Sequence, residues 1–406
     1  MEGTDADSGV GSILVINGGS STLKFALFRA GAEPVQELSG VIDRIGSSPE
    51  TVMSIETDAG QSDRRIVKAP DHASCLEPIM DGLKDQLMRE PLVAIGHRVV
   101  HGGMTYRSPA PVTVELLAEL LRISPYDPEH MPAEITLIEA FQRRYPALPH
   151  VACFDTAFHR EMPAVARLLA IPRRYEKLGI QRYGFHGLSY AFLMKELTRV
   201  GRPGEAHSRV ILAHLGNGAS MAAVKDGRPV DTTMGFTPTS GLLMSRRSGD
   251  LDPGLVAYLA KTEGMGPDQF HRMVNRESGL LGVSERSSDM RDLLKEEESD
   301  PRAAEAVALF CYQAKKAIGS LAAVLGGLDS VVFSAGIGEH SPVIRARICG
   351  GLEFLGIVLD ETRNEAGAPV ISPEGSPVTV RVIKTNEERE IAESVVRFLG
   401  INPTGK

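Results

Sequence analysis

A strand, glycine turn, strand pattern occurs twice in this sequence, about 200 residues apart. Near the N-terminus, the apolar run ILVI at 13–16 leads into NGGSST at 17–22, and a second apolar run follows at 23–28. Residues 210–224 repeat this plan with the turn LGNG at 215–218, and residues 331–339 give a weaker echo of it. Glycine turns between apolar runs predict β-hairpins. The repetition therefore predicts a duplicated α/β architecture with a cleft between its two halves.

Helical periodicity fills the intervals between these strands. It is clearest at 303–325, where apolar residues recur every three or four positions and Gly326-Gly327 supplies a stop signal. Further segments are predicted as helices at 115–122, 133–143, 188–198 and 387–399, and as strands at 92–100, 150–154 and 378–383. Two of these strands place Arg98 and Asp155 at strand ends, which is where ligand crevices form in open α/β sheets.

Composition narrows the class of protein. A chain of 406 residues has room for two or three domains. Its net charge of −8 argues against a nucleic-acid partner, and no apolar run is long enough to cross a bilayer. Four cysteines without a CxxC pair argue against a disulfide framework or a structural zinc site and predict a cytoplasmic protein. Residues 1–11 are polar and acidic, which predicts a flexible tail and not a signal peptide.

The glycine turns also predict how the chain binds anions. Neither the Walker pattern GxxxxGK[ST] nor the dinucleotide pattern GxGxxG occurs. Backbone N–H groups and hydroxyls in the turns can instead form anion nests, and Ser20, Ser21, Thr22 and Lys24 offer three hydroxyls and an ammonium to phosphates. A plain hairpin is the alternative for any single turn, but three such turns in one chain favour a nucleotide.

Several polar side chains are candidates for the chemistry. The guanidinium groups of Arg98, Arg247 and Arg291 match the geometry of carboxylates and phosphates, with structural ion pairs as the alternative. Asp155 and His186 lie among aromatic residues, where buried core polar groups are the alternative. His97 and His101 are four residues apart, but the predicted strand between them argues against a zinc pair.

Eight ordered motifs then carry a resemblance. They are NGGSSTLK at 17–24, GHRVVHGG at 96–103, FDTAFH at 154–159, YGFHG at 183–187, HLGNG at 214–218, GFTP at 235–238, AGIGE at 335–339 and TNE at 385–387. In this order and spacing, from about residue 13 to residue 398, the chain resembles the acetate kinase family. Mere nucleotide binding does not require Arg98, Asp155, His186 and Arg247 together.

The resemblance implies two duplicated actin-like, ribonuclease H-like α/β domains. We expect an N-terminal domain at 12–155 that is completed by 386–406, and a nucleotide-binding domain at 156–385. It also implies a homodimer and a phosphotransferase with a carboxyl acceptor. The implied reaction is the reversible, direct in-line transfer of the γ-phosphoryl group of ATP to acetate, giving acetyl phosphate and ADP with Mg²⁺, or Mn²⁺ in its place.

Residue roles follow from the matched motifs. Asn17 and Glu387 would belong to the metal site, and Arg98 would hold the acid's carboxylate. Asp155, His186 and Arg247 would be catalytic, and Val100, Phe185 and Pro238 would line the pocket for the acid's methyl group. The nucleotide would be bound by Ser20, Thr22, Lys24, His214, Leu215, Gly216, Asn217, Gly218, Asp289, Met290, Arg291, Gly336, Ile337, Gly338, Glu339 and His340.

Alternatives remain at this stage. The segment SRRSG at 245–249 makes Arg246 a second candidate for the catalytic arginine. A carboxylate acceptor is already ionised near neutral pH, so a role in the metal's shell or in orienting other groups is the alternative to proton transfer by Asp155. The alternative functions are a propionate or butyrate kinase and a non-catalytic actin-like nucleotide-binding protein.

Overall fold

The computed structural model describes residues 11–19, 21–46, 51–58 and 60–401. The chain divides into two compact units. Unit 1 comprises Met1–Ala157 and Asn386–Lys406, and unit 2 comprises Phe158–Thr385. The predicted tail lies outside the described residues except for Gly11, and so does Ser20 of the first turn.

Strands and helices alternate in both units. The strands are β1 (Ser12–Gly18), β2 (Thr22–Arg29), β3 (Val35–Asp43), β4 (Val52–Thr57), β5 (Ser62–Ile66), β6 (Leu92–Val99), β7 (Ala110–Pro111), β8 (His150–Phe154), β9 (Arg209–Leu215), β10 (Ala219–Lys225), β11 (Arg228–Thr232), β12 (Ser330–Ser334) and β13 (Thr379–Val382). The helices are α1 (Leu76–Arg89), α2 (Val114–Ile123), α3 (Met131–Arg144), α4 (Ala164–Arg167), α5 (Gly187–Val200), α6 (Gly254–Glu263), α7 (Pro267–Arg272), α8 (Gly279–Ser284), α9 (Met290–Glu296), α10 (Pro301–Leu325), α11 (Ala335–His340), α12 (Pro342–Cys349), α13 (Glu361–Glu365) and α14 (Glu387–Leu399).

Unit 1 is built on a mixed sheet in the order β5-β4-β3-β2-β1-β6-β8-β7. The strands from β1 to β5 pair antiparallel, whereas β1, β6 and β8 run parallel to one another. β1 is buried along its whole length, as its continuous apolar run requires of a central strand. Leu14, Phe25 and Leu27 of the hairpin pack with Ile79 of α1 and Phe141 of α3 in one hydrophobic core.

Helix α14 returns to this sheet from the far end of the sequence. It is strongly amphipathic, and Ile391 and Val395 are fully buried. A Cβ on Gly96 of β6 would lie 2.7 Å from Ile391 Cγ2 and 2.9 Å from Val395 Cγ2, so only glycine allows the helix this close. The side chain of Asn386 accepts from the Arg389 N–H and caps the helix start.

Unit 2 repeats the strand arrangement of unit 1. Its sheet has the order β11-β10-β9-β12-β13, in which β9 to β11 pair antiparallel and β9, β12 and β13 run parallel. The same order, β3-β2-β1-β6-β8, forms the centre of the unit 1 sheet. The predicted duplicated α/β fold is therefore confirmed at the level of topology, including the two predicted hairpins.

The long helix α10 begins and ends where its capping residues stand. Asp300 accepts from the Arg302 N–H, Pro301 occupies the first turn, and Gly326 ends the helix with a φ of 70°.

Buried side chains of α5, including Leu193 and Leu197, form a further core of unit 2 with Leu212 and Val332 of the sheet. Within the part of the chain that the structure describes, no helix is both long and apolar enough to span a membrane.

The predicted echo at 331–339 is wrong in its second half. Strand β12 is followed by the helix α11 and not by a returning strand. The chain turns at Ala335, whose φ is 63°, and the Glu339 carboxylate accepts the Ala335 N–H at 2.7 Å. This local bond within the AGIGE motif closes a helical turn, which the glycine spacing alone does not distinguish from a hairpin.

Candidate active site

The carboxyl ends of three parallel strands bring the first group of candidates together in unit 1. Ile16 of β1 pairs with His97 of β6, and Arg98 of β6 pairs with Cys153 of β8. The next residues, Asn17 at the end of β1 and Asp155 just after β8, therefore lie at the same edge of the sheet as Arg98. Asp155 opens a 3-10 segment, Asp155–Glu161.

Arg98 and Asp155 form a nearly buried ion pair. Arg98 donates to Asp155 Oδ2 from Nε at 3.2 Å and from Nη2 at 2.7 Å, and its Nη1 donates to the Gly18 carbonyl at 2.8 Å. Burial acts to lower the pKa of Arg98, but Asp155, Glu134 and Glu387 outweigh it, and the pKa is raised. Burial is also the main cause that raises the pKa of Asp155. The Arg98 guanidinium therefore stays charged, with carboxyl groups around it.

Sequence reasoning missed two neighbours of this pair. Glu134 of α3 is buried, and its Oε1 lies 3.6 Å from Arg98 Nη1. His130, just before α3, is hydrogen bonded to Asp127 at 3.0 Å and lies close enough to Asp155 to lower its pKa. The available signal was a charged residue on the buried, apolar face of a predicted helix, since Glu134 is followed by Ile135 and Leu137.

Asn17 joins the start of α14 to this edge of the sheet. Its Nδ2 donates to Glu387 Oε2 at 3.0 Å and to Glu388 Oε1 at 2.8 Å. The amide and carboxylate oxygens of these residues are the ligand type that Mg²⁺ prefers, and Asp155 Oδ1 nearby is buried without a hydrogen-bond partner. Among the described residues, no three acidic, histidine or cysteine side chains form a complete metal cluster. The donor set fits Mg²⁺, which usually takes one or two carboxylates and completes its shell with water and phosphates.

The hydroxyl turn between β1 and β2 is only partly available to a ligand. The Thr22 hydroxyl donates to Asp43 Oδ1 at 3.1 Å, and the Gly19 N–H donates to the Thr22 carbonyl at 2.7 Å. His72 Nε2 lies 2.8 Å from the Gly19 carbonyl oxygen. Lys24 is exposed on β2, directly opposite Asn17 in the strand register. The strand register thus places Lys24 beside Asn17.

A second group of candidates lies at the strand ends of unit 2. His214 of β9 pairs with Ser334 of β12. The rings of His186 and His214 stack with centroids 4.1 Å apart. His186 Nδ1 is hydrogen bonded to Ser220 Oγ at 2.8 Å, and His214 Nδ1 to Ser189 Oγ at 2.8 Å. Sequence reasoning missed the two serines, which fix the orientation of both rings.

Gly218 brings His186 and Arg247 to one place. A Cβ at this position would lie 3.1 Å from His186 Nε2 and 3.5 Å from Arg247 Nη2. Arg247 Nη1 donates to the Pro238 carbonyl at 2.8 Å, so the two predicted residues Arg247 and Pro238 are in contact. Arg246, the other candidate, is exposed. The glycine therefore leaves room beside an imidazole and a guanidinium.

The remaining nucleotide candidates differ in their surroundings. Asp289 caps α9 and pairs with Arg291 at 2.6 Å, and this bond lowers the pKa of Asp289. Met290 between them is buried.

Glu339 Oε1 accepts from the Ala335 N–H and from the Thr385 N–H at 3.0 Å, so this carboxylate holds the two backbone segments together. Leu215 ends β9, Gly216 and Asn217 form the turn, and Gly336, Ile337, Gly338 and His340 lie in α11.

The three predicted pocket residues are buried, Val100 in unit 1 and Phe185 and Pro238 in unit 2. Val100 of unit 1 is 1% exposed, and its N–H donates to Glu134 Oε2 at 2.9 Å. Phe185 of unit 2 is 1% exposed, and its carbonyl lies 3.0 Å from His159 Nε2. Pro238 is also buried and contacts Arg247, as described above.

Solved structures share this architecture. The crystal structure of an acetate kinase from Porphyromonas gingivalis matches 96% of this chain and 100% of its own, with a TM-score of 0.85 and 35% identity. A propionate kinase from Francisella tularensis matches 95% of this chain and 98% of its own, with a TM-score of 0.88 and 34% identity. The fold is thus the actin-like two-domain fold of the carboxylic-acid kinases.

The sequence comparison is more specific. The pattern of the Acetokinase family matches residues 12–393. A protein named acetate kinase from Rhodopseudomonas palustris is 42% identical over 391 residues, covering 95% of this chain and 98% of that protein. One from Nitrobacter hamburgensis is 44% identical over 392 residues, covering 96% of each. The chain belongs to the acetokinase family.

Proposed function

We propose that the chain catalyses the reversible transfer of the γ-phosphoryl group of ATP to acetate, giving acetyl phosphate and ADP. The observation that carries this proposal is the match along nearly the whole chain to relatives named acetate kinase, at 42% and 44% identity. The alternative of a nucleotide-binding protein without turnover is not favoured, because those relatives are kinases along the same length of sequence.

Unit 1 would bind the acid. In the proposed reaction the acetate carboxylate is already the nucleophile, and its difficulty is repulsion from the anionic phosphate. Arg98 is suited to offset this repulsion, because a buried guanidinium offers charge-assisted hydrogen bonds to a carboxylate. Asp155 takes both Arg98 contacts on a single oxygen. We assign Asp155 an orienting role, because it fixes the direction of the guanidinium and the acid has no proton to remove.

Unit 2 would stabilise the transferring phosphoryl group. Direct in-line transfer needs positioning and neutralisation of the equatorial oxygens, and no covalent protein nucleophile. His186 and Arg247 are supported in this role by their approach to Gly218, since a glycine allows phosphate oxygens to lie against the backbone. The turn from His214 to Gly218, residues 289–291 and residues 336–340 would line the nucleotide.

Asn17 and Glu387 would hold Mg²⁺. When bound, the ion would supply charge neutralisation to the phosphates. We expect Asn17→Ala to raise the Mg²⁺ concentration for half-maximal activity by about tenfold or more, because Asn17 holds the carboxylates of Glu387 and Glu388 in place. A Mg²⁺ titration at saturating ATP and acetate measures this. The exposed pair Glu196–Arg199 gives the matched control Glu196→Gln, which should leave the titration unchanged. An unchanged midpoint in folded Asn17→Ala would exclude Asn17 from the metal site.

The acid pocket should favour short chains. The family resemblance assigns the acid's methyl group to Val100, Phe185 and Pro238, which are apolar residues of ordinary size, and this suits a short acid. An additional methylene changes kcat/KM by about 10- to 200-fold. We expect kcat/KM to fall in the order acetate, propionate, butyrate when ADP release is measured with each acid. The ring of Tyr126 makes an edge-to-face contact with His101, with the ring centroids 5.4 Å apart. If Tyr126 lines the pocket, it would restrict longer acids further.

A preference for propionate or butyrate as the acid substrate is the competing hypothesis within this family. The match to a solved propionate kinase, with a TM-score of 0.88, is the observation that keeps propionate in the series to be tested. The relatives named acetate kinase, at 42% and 44% identity along nearly the whole chain, favour acetate. A butyrate kcat/KM equal to or above that of acetate would contradict our assignment.

Location and assembly are also part of the proposal. We place the enzyme in the cytoplasm, which agrees with four buried cysteines that form no disulfide bonds. Helix α6 has no buried residue, and Val256 and Tyr258 on it are 48% and 63% exposed, as is Leu251 just before it at 44%. Exposed apolar side chains of this kind are typical of protein–protein interfaces, which agrees with a homodimer.

A further inference from the structure

Glu134 connects two of the residues to which we assign binding of the acid. It lies in the first turn of α3 with 2% of its surface exposed. Its Oε2 accepts the Val100 N–H at 2.9 Å, just beyond the end of β6. Its Oε1 lies 3.6 Å from Arg98 Nη1 and has no hydrogen-bond partner. One buried carboxyl therefore contacts the backbone of Val100 and faces the guanidinium of Arg98.

We propose that Glu134 is a positioning residue for the acid substrate, holding the Val100 end of β6 with one oxygen and controlling the charge around Arg98 with the other. The inference rests on the proposed function for the identity of the substrate as a small carboxylic acid. The neighbouring inward side chains of α3 are the apolar Leu137, Ile138 and Phe141. Burying a carboxyl group among them costs folding free energy, which a role in positioning the substrate would explain.

The charges around Glu134 make its state depend on pH. Burial raises its pKa to about 8, against the opposing effect of Arg98. The other ionisable groups that face it are Asp127, before α3, and Asp155, after β8, and both also raise its pKa. The carboxyl is therefore mostly neutral near neutral pH, and the Arg98 charge is shared with fewer anions.

Ionisation of Glu134 would then work against acid binding. Above its pKa, a further negative charge appears 3.6 Å from the Arg98 guanidinium. This charge competes with an incoming carboxylate for Arg98 and repels it. The KM for the acid should rise in alkaline solution, whereas the KM for ATP, which is bound by other residues, should not follow.

The test compares KM values across pH. For the wild-type enzyme, we expect the KM for acetate to rise at least about fivefold between about pH 7 and about pH 9.5, at saturating ATP. Glu134→Gln keeps an oxygen for the Val100 N–H but has no ionisation, so its KM for acetate should stay nearly constant. The matched control is Glu139→Gln on the same helix, where Glu139 is 42% exposed and pairs only weakly with Arg143 at 3.8 Å. It should follow the wild type.

A further variant separates positioning from charge alone. Glu134→Asp keeps the ionisable group but is one methylene shorter, so it cannot reach both Val100 and Arg98. Its KM for acetate should be raised already near neutral pH while its KM for ATP is unchanged.

The results decide between the claims. A flat wild-type KM for acetate would overturn the role of Glu134 while leaving the kinase activity established, and this holds even if the Glu134 variants fail to fold. An alkaline rise that persists in folded Glu134→Gln would overturn it as well. Absence of acetyl phosphate formation by the wild type would overturn the proposed function, and this inference with it.

Discussion

Replacing Arg247 by alanine should lower kcat by about two orders of magnitude or more. The expected size follows from the usual cost of deleting one preorganised donor to charge that develops in the transition state. Arg247 is held by its bond to the Pro238 carbonyl, and its Nη2 lies near the Gly218 position beside His186. Steady-state kinetics at saturating ATP and acetate measure the effect.

Arg246→Ala is the matched control for this prediction. Arg246 is the preceding residue and carries the same charge, but it is exposed. Its replacement should change kcat by much less than that of Arg247. If Arg246→Ala proves the damaging variant and Arg247→Ala does not, the assignment within the SRRSG segment is wrong by one residue, and the geometry around Gly218 does not mark the phosphoryl site.

Replacing Arg98 by leucine should raise the KM for acetate by at least about tenfold, with a much smaller change in the KM for ATP. Hydrogen bonds to charged groups contribute roughly 1.5 to 3 kcal/mol each. The turns of unit 2 to which we assign nucleotide binding do not contain Arg98 and should be unaffected. Initial rates over a range of acetate and of ATP concentrations separate the two KM values.

The ion pair complicates this variant in a way that can be controlled. Loss of Arg98 leaves the nearly buried Asp155 without its partner, and breaking such a pair costs about 3 to 5 kcal/mol of folding stability. Arg98→Lys keeps the charge but lacks the planar fork, so it should fold better and still bind acetate weakly. A normal KM for acetate in folded Arg98→Leu would reject the role of Arg98 in binding the acid.

Local sequence patterns were sufficient for the elements that place the site. The two hairpins, the long helix α10 and the strand ends at Arg98 and Asp155 were all predictable, because apolar runs, turn glycines and caps specify them locally. The family and the α/β duplication were also predictable and are confirmed. The roles of individual site residues stay predictions, to be decided by the variants above.

Elements without such patterns were missed. β5 is exposed at every residue, so its side chains do not alternate between apolar and polar. In β3, Gly40 interrupts the strand signal, although it is needed there because a Cβ would lie 2.2 Å from the Phe25 ring. α1 was also missed. The two strands, unlike α1, can be recognised only when their packing partners are known.

The site neighbours were missed for a related reason. Glu134, His130, Ser189 and Ser220 contact or face site residues that are distant in the sequence, and the one local signal, the apolar helix face around Glu134, does not say which residues it meets. Glu134 has the appearance of an ordinary charged residue in a helix until α3 is packed against the ends of β1 and β6. Contacts between sequence-distant residues are set by tertiary packing and not by local propensity.

The most direct test of the proposed activity is to trap the product. The purified wild-type protein is incubated with ATP, Mg²⁺, acetate and hydroxylamine, and acetyl hydroxamate and ADP are quantified together. We expect hydroxamate to accumulate in step with ADP, to depend on both ATP and acetate, and to be strongly reduced in Arg247→Ala but not in Arg246→Ala. If ATP binds without formation of hydroxamate, or if ADP forms regardless of acetate, the chain does not transfer the phosphoryl group to acetate.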